Sequence, residues 1–202
     1  NDPFITALGV VSDSVFDRGD DDAAAPLTAA TVPQTLLAQV EGPVIFVETP
    51  QLGGATLMTR VGQNGPDSTW RGPEGFGLTL GAGNILRSTR GLGFDLMASD
   101  TAVLAAALSA RRPGPTPRVE IRLDGEGQQV RQTLDCTVTR DARETITIAG
   151  QPRLTTRMTE TCRTDSGSHQ NLFWVGTGGA AVQSLHWIGG PIGTLRISHL
   201  RG

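Results

Sequence analysis

The sequence predicts a mainly β protein, an antiparallel curved sheet or partly open barrel with two or three short helices. Glycine is abundant, at 26 of 202 residues, threonine recurs in alternating patterns, and alanine-rich helical stretches are few. Together these favour short strands joined by tight turns. A chain of this length can bury a substantial core, and one domain over residues 1–202 is the expected organisation.

The elements follow in order. Residues 3–16, PFITALGVVSDSVF, place apolar residues at helical spacing, and the acidic DRGDDDAAAP after them reads as a solvated loop. In TVPQTLLAQVEGP, Thr31 can cap a helix, Pro33 suits its first turn, and Gly42 with Pro43 stops it. VIFVET, ATLMTRVG and DSTWRG alternate or are fully apolar, with Gly-Gly and Asn-Gly-Pro breaks between them, as successive antiparallel strands require. SDTAVLAAALSARR is the clearest helix, with Ser99 or Asp100 as its cap and arginines at its C-terminal end. RRPGPTP then reads as a link between two halves of one fold, with a true domain boundary as the alternative. From RVEIRL onward the pattern is almost entirely strand and turn, including the hairpin signal LDGEGQQV.

Charge and composition exclude several functions. The formal net charge is −3, and all 17 basic residues are arginines scattered without a cluster, which argues against a nucleic-acid footprint or a polybasic membrane patch. No apolar run approaches the ~18 residues needed to span a bilayer. The chain begins at Asn1 and reads as a processed or trimmed product.

GLTLGAGNILRSTRGLGFDL, residues 77–96, resembles a phosphate-binding loop at first sight. A dinucleotide fingerprint needs a third glycine where Leu86 stands and a helix after it, whereas NILRSTRGL carries β-formers and no cap. Gly81 to Asn84 is better read as a β-turn between two strands, and a chain without lysine has no Walker lysine. TDSGSH gathers Asp, Ser and His at residues 164–169 without a nucleophile elbow, and reads as a polar loop. His169, His186 and His199 lack the spacing of a helical zinc site, so no metal and no cofactor is expected. Trp70, Trp174 and Trp187 lie in predicted strands, where core packing is the first reading and a sugar-stacking platform the second.

Cys136 and Cys162 sit in TLDCTVT and RMTETCR, each sharing its alternate-residue face with apolar neighbours: Leu134 and Val138 for the first, Met158 for the second. Two such strands, antiparallel about a turn at IAGQPR, bring the sulfurs within bridging distance and imply an oxidising compartment; two reduced buried thiols are the alternative.

Two blocks carry a family resemblance. In STWRGPEGFGLTLGAGNILRSTRGLGFDL these are Trp70, Gly83, Ile85, Arg87, Thr89, Gly91, Leu92, Asp95 and Leu96. In NLFWVGTGGAAVQSLHWIGGPIGTLRISHL they are Asn171, Phe173, Trp174, Val175, Gly178 and Ser184. The sequence resembles the YjbF family of group 4 capsule polysaccharide lipoproteins, departing from it where His186 replaces the usual Gln and Gly176 an acidic residue. The resemblance implies a lipoprotein acylated on a cysteine upstream of Asn1, on the periplasmic face of the outer membrane. It further implies a non-catalytic accessory of capsule or exopolysaccharide production or export, whose partner is a polysaccharide or a secretion protein. Trp70, Arg71, Arg87, Arg90, Trp174 and His186 are the residues expected to meet glycan or partner, being aromatic or polar within these blocks. The alternatives are a glycan hydrolase or lyase, marked by a carboxylate pair in a cleft beside a tryptophan, and an interaction module with an open sheet edge.

Overall fold

The computed structural model describes residues 27–165 and 167–202; the helix expected over residues 3–16 and the acidic loop after it lie outside them. The described chain is mainly β. Its strands are β1 (Val44–Thr49), β2 (Gly54–Asn64), β3 (Asp67–Arg71), β4 (Gly77–Leu80), β5 (Leu86–Arg90), β6 (Leu96–Ser99), β7 (Gly114–Pro115), β8 (Arg118–Leu123), β9 (Gln129–Ile148), β10 (Gln151–Thr164), β11 (Gly167–Gly176), β12 (Ala181–Gly189) and β13 (Gly193–Arg201). Two helices accompany them, α1 (Gln34–Leu37) and α2 (Ala102–Ser109), and no helix among the described residues is long and apolar enough to cross a membrane.

One antiparallel sheet runs in the spatial order β5-β4-β3-β2-β1-β13-β12-β11-β10-β9-β8-β6, with β7 added on β9. Its two ends, β5 and β6, meet through side chains, which makes the sheet a nearly closed barrel. Leu96 N–H donates to Thr89 Oγ1 (2.9 Å), Thr89 Oγ1 donates to Asp95 Oδ1 (2.7 Å), and Arg87 Nε donates to the Ser99 carbonyl (3.3 Å). Asp95 also accepts the amides of Gly91 (3.0 Å) and Leu92 (3.2 Å), so one buried carboxylate organises the turn that carries the chain across the seam.

The fully apolar start of β1 follows from its burial on both faces. Ile45 and Val47 pack with Met58, Trp70, Leu78, Leu195 and Ile197. Val44 and Phe46 face the other way, under Ala29, Val32, Leu37, Ile148 and Ala149. That second layer is pinned where Ala149 N–H donates to the Ala29 carbonyl (2.7 Å) and Gly150 N–H to the Ala30 carbonyl (2.9 Å). In a third cluster, Leu104 and Leu108 of α2, one turn apart, pack with Val138, Met158, Phe173 and Val175.

β9 pairs with β8 through its first residues and with β10 through the rest. Its hairpin turns at Ala149 and Gly150, both at positive φ (49° and 73°), as the two-residue turn that suits twisted strands demands. The resulting register sets Cys136 opposite Cys162, and the two are bonded with Cα atoms 4.0 Å apart. Closing a loop of 26 residues stabilises the fold by about 3–4 kcal/mol on the chain-entropy model. The turn expected at Gly81–Asn84 is present, with Gly83 and Asn84 at positive φ (71° and 62°) between β4 and β5.

The helices differ in detail from expectation. α1 is a single turn that the chain leaves at Ala38; Thr31 does not cap it, its hydroxyl being engaged with Thr28 in the preceding turn, and Pro33 stands just before the first helical residue. At α2, Asp100 Oδ1 accepts the Ala102 amide (3.3 Å), whereas Ser99 is buried on β6. The proline-rich segment before β8 contributes β7, paired with Thr137 and Val138, and so belongs to the sheet.

Candidate functional site

The polar interior begins on β8. Alternation along RVEIRL sets Arg118, Glu120 and Arg122 on one face of the strand. Arg118 Nε donates to Glu120 Oε1 (3.0 Å), and Arg122 holds the other oxygen with Nε (2.8 Å) and Nη2 (2.6 Å). Ser99 Oγ reaches Glu120 Oε1 at 3.4 Å. From β10 comes Glu160, fully buried, whose Oε1 accepts Arg118 Nη1 and Thr116 Oγ1 (3.0 Å) and whose Oε2 accepts Asn171 Nδ2 (2.8 Å). Two carboxylates meet two guanidiniums, so the buried cluster is neutral, and every carboxylate oxygen is hydrogen-bonded. That satisfaction is what makes burial of the charges tolerable.

Burial alone would raise the Glu120 carboxyl, but the guanidiniums of Arg122 and Arg118 outweigh it and hold the group below the ordinary carboxylate range. Burial would likewise lower Arg118, yet Glu160 and Glu120 push it up. Glu120 is therefore held ionised and has no proton to give. Behind it lies His186, buried, its ring edge-on to Phe173 at 5.3 Å and its Nε2 without a partner among the described residues. Burial, helped by Arg118 and opposed by Glu120, drives its pKa down to about 3, so the ring is neutral. The space left among Arg118, Glu120, Asn171, His186 and Trp187 is about 10 Å³, on the scale of one water.

The cluster reaches the surface at Trp187. Asn171 Oδ1 accepts the Trp187 amide (2.8 Å), His169 stacks on the indole at 4.4 Å, and the Arg122 guanidinium lies 5.6 Å from the ring centre. Trp187 is 37% exposed, the least buried of three tryptophans first read as core. Burial lowers the His169 pKa, with Glu120 opposing.

The residues singled out from sequence are dispersed. Trp70 is in the core, its Nε1 donating to Ser68 Oγ (2.9 Å), and His186 is interior; neither side chain presents surface. Arg87 pairs with Asp67 at 2.6 Å beside the seam. Trp174 donates from Nε1 to Glu144 Oε1 (2.8 Å), which also faces Arg157. Arg71 and Arg90 are brought together, as both lie opposite Gly77 of β4 on the exposed side of the sheet. Sequence reading missed Arg118, Glu120, Arg122, Glu160 and Asn171 as a unit. Its one signal was the alternating charge of RVEIRL.

Cys136, Glu160 and Cys162 bring three potential ligand atoms within 4.8 Å of one another. The two sulfurs are bonded to each other and Glu160 is committed to Arg118, Thr116 and Asn171, so they do not form a metal centre as they stand.

Fold and site define a small, nearly closed antiparallel barrel that buries a cluster of paired carboxylates and guanidiniums. The chain belongs to the family described as group 4 capsule polysaccharide lipoprotein gfcB, YjbF, whose sequence profile matches residues 15–200. One solved structure sharing the fold is the hypothetical lipoprotein YmcC from Escherichia coli (K12), 19% identical, with a TM-score of 0.73 over 85% of this chain and 90% of that one. No curated protein matches the chain. Several residues of the resemblance have architectural roles here: Thr89 and Asp95 close the seam, and Asn171 ties Glu160 to the Trp187 backbone.

Proposed function

We propose that the protein is a non-catalytic lipoprotein accessory of capsule or exopolysaccharide production or export. On this reading an acylated cysteine upstream of Asn1 holds it to the outer membrane, facing the periplasm, where it contacts the polymer or a secretion protein. The observation that carries the reading is the family match over residues 15–200. The disulfide between Cys136 and Cys162 fits an oxidising compartment.

The glycosidase alternative asks for a carboxylate pair beside a tryptophan, one member held protonated as the acid. Glu120 and Glu160 lie near Trp187, but Arg118 joins them, Glu120 is held ionised, and the space beside them admits about 10 Å³. This supports the non-catalytic reading. The test is deletion of the gene, followed by measurement of cell-bound and secreted polysaccharide. A changed amount or distribution, restored by the wild-type gene, is expected. Unchanged polysaccharide, or depolymerisation of the purified polymer by the purified protein, would sink the proposal.

A further inference from the structure

Among the described residues, one polar face of the sheet is exposed or half-buried. Direct partners in an antiparallel pair share a face, and the register of β3, β4 and β5 builds two adjacent rows: Arg71, Gly77 and Arg90, then Thr69, Thr79 and Ser88. Their chain neighbours Trp70, Leu78 and Thr89 are buried on the opposite face. Arg71 and Arg90 are exposed and make no ion pair or hydrogen bond among the described residues, in contrast to Arg87 with Asp67. Neither row contains an acid or an apolar side chain. Gly77 leaves a shallow trough between two guanidiniums whose backbones stand two strand spacings apart, about 10 Å. The equivalent side of β1 is covered by the cluster containing Val32, Leu37 and Ile148, whereas Thr69, Arg71 and Arg90 remain exposed.

We propose that this face binds an acidic polysaccharide, Arg71 and Arg90 taking carboxylates and Thr69, Thr79 and Ser88 the sugar hydroxyls. The inference rests on the functional reading above and names the class of polymer. Guanidinium forks match carboxylates with two hydrogen bonds each, and hydroxyls both donate and accept, as a sugar hydroxyl requires. Other polyanions fit less well. The two rows have no aromatic side chain for stacking bases, and two cations are a small footprint for a phosphate backbone. A protein interface would want an apolar centre, which the two rows lack.

The test uses polygalacturonate as probe and neutral dextran as control, titrated into the purified protein at low and high salt. Binding of polygalacturonate alone, weakened by salt, is expected, with an affinity loss of about tenfold or more in Arg71→Ala/Arg90→Ala. A charge-matched variant elsewhere, Arg131→Ala/Arg140→Ala, should bind as wild type, and urea midpoints should establish that both variants fold. No binding of polygalacturonate, equal binding of dextran, or equal loss in both variants overturns the assignment. The double variant is also introduced into the deletion strain. If the wild-type gene restores polysaccharide and the Arg71/Arg90 variant does so fully, the surface assignment fails while the accessory role stands. If deletion alters no polysaccharide while binding still depends on the two arginines, the accessory role fails and the surface assignment stands.

Discussion

Arg118 is the residue on which the interior turns, because among the described residues it alone bonds both Glu120 and Glu160. Replacing it by methionine leaves the buried Glu160 carboxyl with Thr116 and Asn171 as its partners among the described residues. Loss of one member of a buried pair costs about 3–5 kcal/mol, and Arg118→Met should lower stability by that amount in urea unfolding. Adding Glu160→Gln, which removes the charge and keeps an acceptor for Thr116, should recover part of the loss. The histidines set the response to acid. His186 and His199 have folded pKa values of about 3 and about 4, both lowered chiefly by burial, against 6.5 in the unfolded chain. Below pH 6.5 the unfolded state binds protons that the folded state refuses, so stability falls with acid by about 1.4 kcal/mol per pH unit per histidine until the folded pKa is reached. Glu120, whose folded pKa is depressed, adds the same sign lower down: its contribution is present above the unfolded carboxylate value and fades as pH drops through the folded one. Unfolding midpoints at pH 7 and pH 5 should show the decline, and His186→Gln should reduce its slope.

At the scale of the element, the hairpin of β9 and β10 was readable because two signals agreed. The faces containing Leu134, Cys136 and Val138 and containing Met158 and Cys162 alternate with polar residues, and a two-residue turn at Ala149-Gly150 fixes which residues meet. The ion cluster was not readable in that way. RVEIRL displays its charge alternation, but Glu160 lies 40 residues beyond Glu120, and only the neighbourhood of β8, β9 and β10 says that they converge. Thr31, which the sequence offers as the cap of α1, bonds Thr28 instead. The seam between β5 and β6 is the element most open to attack, since Asp95 serves Thr89, Gly91 and Leu92 together. Asp95→Ala should cost about 3 kcal/mol, by loss of charge-assisted bonds at a buried site. The Leu96 amide, which donates to Thr89 Oγ1, should lose hydrogen-exchange protection in the same variant.

Across the whole molecule, the continuous sheet speaks to domain organisation. β9 belongs at once to the β8 side and the β10 side, so neither half has a complete set of neighbours without the other. One cooperative transition is expected, with calorimetry and tryptophan emission giving the same midpoint. Two separated transitions would divide the chain into independent units. Sequence composition was enough for the fold class, because abundant glycine and alternating threonine are local properties. It was not enough for the surface of Arg71 and Arg90, which exists only because Gly77 lies between them in the register.

The pairing of β1 with β13 has a consequence for how the molecule comes into being. Val44 lies opposite Arg201, so the first strand of the sheet waits for the last. Such long-range closure is slow, because the two strands are separated by most of the described chain. Until β13 comes to lie beside it, β1 has β2 on one side and an open edge on the other.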